Sequence, residues 1–165
     1  MIHRAMIHHG WRPGLIGNIV HAHATYYARE WDFPKFFEAK IAREMGEFLA
    51  RMGPRDALFS ATANDTFLGS LTIDGTDPAL APNQAHLRWF ITTDAARGQG
   101  TGRQLIAAAL DFLHEQKFSS CYLTTCAGLN AARRLYDTAG FILTDQQEAE
   151  SWGTKVTEQT FLLTL

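Results

Sequence analysis

The chain has 165 residues, 46% of them hydrophobic, and a formal net charge of -2. That is the size of one ordinary domain with ample material for a core, so a single domain over residues 1–165 is expected. No basic run is present and no apolar stretch approaches the length of a membrane span, which argues against nucleic-acid and membrane partners.

The start, Met1-Ile2-His3-Arg4, lacks a signal-peptide pattern. Ile2 to His8 reads as a first strand, broken by Gly10-Trp11-Arg12-Pro13-Gly14. Leu15 to Arg29 reads as a helix, with Ile16, Ile19, Val20, His23 and Tyr27 along one side. Asp32 is expected as a cap near a second helix started by Pro34. Phe37, Ile41, Met45, Phe48, Leu49 and Met52 recur at helical spacing until Gly53-Pro54 stops them. Ala57 to Ala63 and Thr66 to Ile73 form a hairpin around Asn64-Asp65. After a loop through Pro82, Ala85 to Thr93 is the next strand. Leu105, Ile106, Ala109, Leu110, Phe112 and Leu113 mark the buried stripe of a helix over Arg103 to Gln116. Ser119 to Thr125 is a short apolar strand, and Asn130 to Ala139 a short helix closed by Gly140. Phe141 to Thr144 and Val156 to Leu165 are final strands. The order βααβββαβαββ implies an α/β fold, a mixed sheet with helices on its faces. Cys121 and Cys126 lie near one predicted strand, where a disulfide between them would be strained; reduced thiols in a cytoplasm are expected.

The junction Arg97-Gly98-Gln99-Gly100-Thr101-Gly102 carries the strongest chemical signal. A strand precedes it and a helix follows. Glycines let backbone N–H groups approach a ligand closely, and the first helical turn adds unpaired donors and the positive end of its dipole. Together they suit a phosphate or pyrophosphate, and the forked donors of Arg97 suit the same anion. A dinucleotide fingerprint needs a sixth-place glycine, where Arg103 stands, and no Gly-Lys-Ser or Gly-Lys-Thr exists for a nucleotide P-loop.

With this motif the sequence resembles the GCN5-related N-acetyltransferases, the GNAT family. The family's acetyl-CoA motif is Gln or Arg, two residues, Gly, one residue, Gly or Ala. Here it reads Arg97, Gly98-Gln99, Gly100, Thr101, Gly102, and the ending Leu135-Tyr136-Asp137-Thr138-Ala139-Gly140-Phe141 also matches. The resemblance implies a GNAT fold of about seven strands and four helices. Val20-His21-Ala22-His23, Tyr27-Ala28-Arg29-Glu30, Leu87-Arg88, Ala131 to Tyr136, and Ser151-Trp152-Gly153 with Lys155 resemble the acetyltransferase half of bacterial fusions with a MarR-type DNA-binding half. No winged-helix half lies in these 165 residues, so a stand-alone relative is expected.

The resemblance implies acetyl-CoA as cosubstrate, no metal, and direct acetyl transfer to a primary amine. A non-catalytic acyl-CoA-binding regulatory module is the alternative. Backbone groups of Phe90, Ile91 and Thr92 would hold the acetyl carbonyl and pantetheine arm, and Arg97, Gly98, Gln99, Gly100, Thr101 and Gly102 the pyrophosphate. Asn130 matches a residue that touches pantetheine, although a helix N-cap also favours Asn. Arg133 would approach the adenosine end or be a solvated helix residue. Tyr136 matches a tyrosine near the cofactor sulfur, a general acid for the departing thiolate; packing on the helix's inner face is its bland alternative. His21, Tyr27, Glu30, Arg88 and Trp152 fall in segments that would border the acceptor amine. Homodimers are common in the family.

The base is not identifiable. The strand before the glycine turn carries His86 and Arg88 but no acid before Asp94, leaving Glu30, His21, His23 and Glu150 as candidates. Asp94 stands where the family often has proline. His21 and His23 are two apart on a helix, and His8-His9 adjacent on a strand, so neither pair shares a metal ion easily. No His or acid is placed by sequence to activate Cys126 as a nucleophile.

Overall fold

The computed structural model describes residues 4–165. The elements run β1 (Met6–His9), α1 (Leu15–Trp31), α2 (Lys35–Arg51), β2 (Ala57–Ala63), β3 (Thr66–Asp74) and β4 (Gln84–Thr92). A 3-10 turn (Asp94–Ala96) then leads to α3 (Thr101–Glu115), β5 (Ser120–Cys126), α4 (Asn130–Ala139), β6 (Ile142–Ala149) and β7 (Val156–Thr164). The expected order holds, although Ile2 and His3 of the first predicted strand lie outside the described residues. The seven strands form one sheet in the order β1-β2-β3-β4-β5-β7-β6, with only β4 and β5 parallel.

Strand alternation sorts the apolar residues onto two faces. Ala57, Phe59 and Ala61 join Leu105, Ala109, Phe112, Tyr136 and Phe161 in a core under α3 and α4. Leu58, between them in sequence, joins Leu15, Ile19, Phe37, Ile41 and Met45 under α1 and α2. The same parity separates the cysteines. Cys121 packs in the first core and Cys126 in the second, and both are free thiols.

Local chemistry explains the turns. Asn64 and Asp65 both have positive φ, 49° and 62°, the tight hairpin geometry that Asn and Asp tolerate best. Asp32 departs from the expectation of a start cap. It sits in the left-handed region (φ 55°) and ends α1, its N–H bonding to the Tyr27 carbonyl, while Pro34 precedes α2. The polar stretch Asp145 to Ala149 extends β6 beyond its predicted end, because an edge strand exposed on both faces accepts polar residues throughout.

β4 bends at its centre. Ser70 faces Ile91 and Thr72 faces Arg88, so Leu71 alone faces both Trp89 and Phe90. Trp89 takes φ 49°, the signature of a bulge that re-aims a strand. Gly69 permits this close approach. A Cβ there would lie 2.6 Å from the Ile91 carbonyl oxygen and 3.2 Å from Thr92 Cα. Gly69→Ala is expected to cost about 1–3 kcal/mol through overpacking, read as a lower denaturant midpoint at unchanged slope.

Candidate functional site

β4 and β5 pair at only three positions, Gln84–Ser120, Ala85–Cys121 and His86–Tyr122, and then diverge. The gap opens where β4 bulges, and it continues into a cavity of about 920 Å³. Phe90, Ile91, Thr92, Arg97, Gly98, Gly100, Thr101, Gly102, Asn130, Tyr136, Tyr27, Arg88 and Trp152 all line it. Residues from α1, β4, α3, α4 and the β6–β7 turn thus meet at one cleft.

One end of the cleft suits an anion. Gly98 and Gly100 have φ of 73° and 75°, and space for a Cβ at either is empty. No neighbouring atom covers that side of either backbone, and both glycines line the cavity. The Gln104 N–H bonds to the Gly100 carbonyl, and the N–H groups of Thr101, Gly102 and Arg103 in the turn before it lack an intrahelical partner. The Thr101 hydroxyl, also in the wall, is buried with no hydrogen-bond partner. Arg97 is exposed and bonds Asp94 at 3.0 Å, while Arg103 and Arg134 also line the cavity. Gly102 packs against Leu135 and Phe90, which sets α3 close to α4 and β4.

Tyr136 stands at the floor. The αL residue Gly140 ends α4, and Tyr136 packs against Phe90, Phe141 and Phe161 with ring centroids 6.0–6.1 Å apart. Burial raises its phenol pKa well above the ordinary value, with Cys126 adding to the effect, so the proton stays on oxygen at working pH. Burial likewise pushes the Cys126 thiol up to about 11, and the charge of Glu158 adds to it. Cys126 is therefore a protonated thiol, unsuited to nucleophilic attack.

The other end is aromatic and ionic. Tyr27 stacks on Phe33 at 5.1 Å, Phe33 meets Phe37 at 4.9 Å edge-on, and Trp152 lies 6.4 Å from Phe33 and nearly parallel to it. The β6–β7 turn docks here because Gly153 fits against Pro34 and Phe36. Opposite, Lys40 donates to Glu44 at 2.6 Å, and Arg88 bridges Glu44 at 3.0 Å and the fully buried Asp74 at 3.1 Å. Arg51 clamps the same Asp74 through both carboxylate oxygens. Burial alone would raise the Asp74 pKa, but the two arginines hold it below its ordinary value. The Arg88 guanidinium lies 4.1 Å from the centroid of the Trp89 ring. His86 stacks on Tyr122 at 4.2 Å, and burial with the nearby Arg88 cation lowers its pKa to about 3.

Several sequence candidates stand elsewhere. Glu30 pairs with Arg29 on the exposed surface, and neither it nor Glu150 or Gln99 forms part of the wall. His21 lines a smaller cavity of about 380 Å³ beside Thr92 and Asp94. Arg133 turns to Asp137 and the Phe161 ring, outside the wall that its neighbour Arg134 joins. Asn130 is the first residue of α4, preceded by Leu129 at the cap position, so it is not the cap itself. His23 reaches the cavity, but its Nδ1 is bonded to the Ile19 carbonyl, and burial lowers its pKa to about 4. Lys40, Glu44 and Glu158 were missed as site residues. The i,i+4 spacing of Lys40 and Glu44 was visible, but not the face they share with β4. No group of three or more His, Cys, Asp or Glu among the described residues is arranged to hold a metal ion.

The family model described as "Acetyltransferase (GNAT) family" matches residues 21–141. Solved structures share the fold at low identity. A ribosomal-protein-alanine N-acetyltransferase from Brucella melitensis is 15% identical with a TM-score of 0.77, covering 97% of this chain and 99% of its own. An acetyltransferase from Streptococcus agalactiae is 17% identical with a TM-score of 0.73, covering 98% of each chain. The protein yncA from Salmonella typhimurium, a proposed acetyltransferase solved with its cofactor acetyl-CoA, is 16% identical with a TM-score of 0.73, covering 98% of this chain and 94% of its own. No curated protein matches the chain in sequence.

Proposed function

The chain belongs to the GNAT family of acetyltransferases, and from that premise we propose that it moves an acetyl group from acetyl-CoA directly to a primary amine. The observation that carries the reading is the parted β4–β5 pair leading into a glycine turn at a helix N-terminus. A long thioester with a pyrophosphate at one end fits that shape. The bare N–H groups from Gly98 to Arg103 would hold the pyrophosphate. The backbone of Phe90, Ile91 and Thr92, freed from β5 by the divergence, would hold the pantetheine arm and polarise the thioester carbonyl. Asn130 at the start of α4 would steady the arm's amides.

Transfer then rests on positioning. The amine nitrogen would bond to the carbonyl carbon as the carbon–sulfur bond breaks, the Tyr136 hydroxyl would protonate the leaving thiolate, and the proton shed by the new amide nitrogen would return to Tyr136. Arg88 and the aromatic group of Tyr27 and Trp152 would shape the acceptor. Within the family, the segments that resemble the acetyltransferase halves of MarR-type fusions support the further reading of a single-domain relative of those halves that acts in a bacterial cytoplasm. No helix among the described residues is long and apolar enough to cross a membrane.

Thermal unfolding with and without acetyl-CoA, with ATP and NAD as controls, tests the reading. Acetyl-CoA at 100 times its dissociation constant is expected to stabilise the fold by about 2.7 kcal/mol, and the controls by nothing. No shift in cofactor-free protein would remove the proposal. A second reading, a module that binds acyl-CoA without turnover, draws on the absence of a carboxylate from β4. It predicts the same shift with no amine-dependent release of CoA.

A further inference from the structure

β4 provides no carboxylate, yet an acceptor amine arrives at neutral pH as an ammonium and must lose a proton before it attacks. Glu158 stands where that proton can go. It lies on β7, directly opposite Cys126 of β5 in the antiparallel register. Directly paired residues project to the same face with Cβ atoms about 4.5–5.5 Å apart. Cys126 packs under α1 and α2, so Glu158 faces that side too, and it lines the cavity. The proposed acid Tyr136, Cys126 and this carboxylate all line the one cavity.

The set of partners around Glu158 is the second observation. The residue is 8% exposed, and its carboxylate accepts one hydrogen bond, from the Ser151 N–H at 3.3 Å. No cation among the described residues pairs with it. The other cleft carboxylates are spoken for: Glu44 by Lys40 and Arg88, Asp94 by Arg29 and Arg97. A buried carboxylate without a counter-ion destabilises a protein unless a ligand completes it. An ammonium is the ligand that does so, and the Trp152 ring beside Ser151 would cover the carbon chain that bears it.

We infer that Glu158 receives the acceptor's ammonium group and acts as the general base of the proposed acetyl transfer, an inference that rests on that reading. One ammonium proton passes to the Glu158 carboxylate. The neutral amine then forms the C–N bond, the C–S bond breaks, and the thiolate takes the Tyr136 proton. Tyr136 is reprotonated by the proton that the new amide nitrogen sheds. Glu158 returns its proton to solvent once the product leaves.

The test compares wild type, Glu158→Gln and Glu158→Asp, with phenethylamine, L-phenylalanine and a lysine-containing peptide as probe amines. Calorimetry with acetyl-CoA should give the same affinity for all three proteins. Amine-dependent CoA release should fall by about 10²–10⁴-fold in kcat/KM for Glu158→Gln, with the acid limb of the pH profile lost. Glu158→Asp should keep that limb at a lower rate. Glu158→Gln should also raise the thermal midpoint, because the amide still accepts the Ser151 N–H without an unpaired charge. Wild-type turnover and pH profile in Glu158→Gln would overturn the inference, and so would a lowered midpoint, which marks a structural role. Failure of wild type to bind acetyl-CoA would instead overturn the proposed function. If none of the probes is acetylated although acetyl-CoA binds, the non-catalytic reading is favoured and the general-base role is overturned with it.

Discussion

Replacing Tyr136 by phenylalanine is expected to lower kcat by about 10²–10⁴-fold while leaving the affinity for acetyl-CoA unchanged. The ring is held by Phe90, Phe141 and Phe161, contacts that phenylalanine keeps, so the fold should survive the change. What disappears is one hydroxyl, kept protonated by burial, at the floor of the cleft. A leaving thiolate without that donor must depart as a free anion or wait for water. Steady-state kinetics with calorimetry separate the outcomes. An unchanged kcat would show that Tyr136 is only a packing residue, and a loss of cofactor affinity would show that it shapes the binding site instead.

The second large effect is acid lability well above the range where carboxylates titrate. His23 and His86 are buried and neutral, with pKa values lowered to about 4 and about 3 from 6.5. The unfolded chain binds protons at these residues first, so stability is complete above pH 6.5 and falls as the pH drops towards 4 and 3. At pH 5 each histidine accounts for about 2 kcal/mol, together about 4 kcal/mol. For a chain of this size that lowers the thermal midpoint by roughly 8–16 °C relative to pH 8. Asp74, held below 3.8 by its arginines, adds its loss only at lower pH. His86→Phe keeps a ring against Tyr122 and should remove about half of the drop between pH 8 and pH 5. An equal drop in that variant would assign the lability elsewhere.

The element order and the cofactor end of the cleft were readable because local chemistry sets them. Asn64-Asp65 specifies a tight hairpin by its tolerance of positive φ, and Gly140 ends a helix for the same reason. Gly98 and Gly100 report a turn whose positive φ side-chain-bearing residues rarely adopt. The bulge at Trp89 was not readable. No local rule puts a tryptophan at φ 49°; the register of β3 against β4 imposes it from outside the segment. Glu158 was hidden by topology. The alternation of Val156 to Thr164 gives its face, but nothing local reveals that β7 inserts between β5 and β6 and so brings the residue beside Cys126. Arg133 and Arg134 show the same limit on a helix. Adjacent cations point about 100° apart, and only the packing of α4 decides that Arg134 meets the cleft.

The short run of pairing between β4 and β5 has a mechanical consequence. Three register pairs join a block of β1 to β4 to a block of β5, β7 and β6, so the sheet resembles two plates sharing a brief weld. A ligand that bonds to both strands beyond the weld acts as a splint, because it replaces the inter-strand bonds that the divergence leaves unmade. Amide exchange in the far halves of β4 and β5 should therefore slow with occupancy, while β2 and β3, already laddered along their whole length, stay as they were.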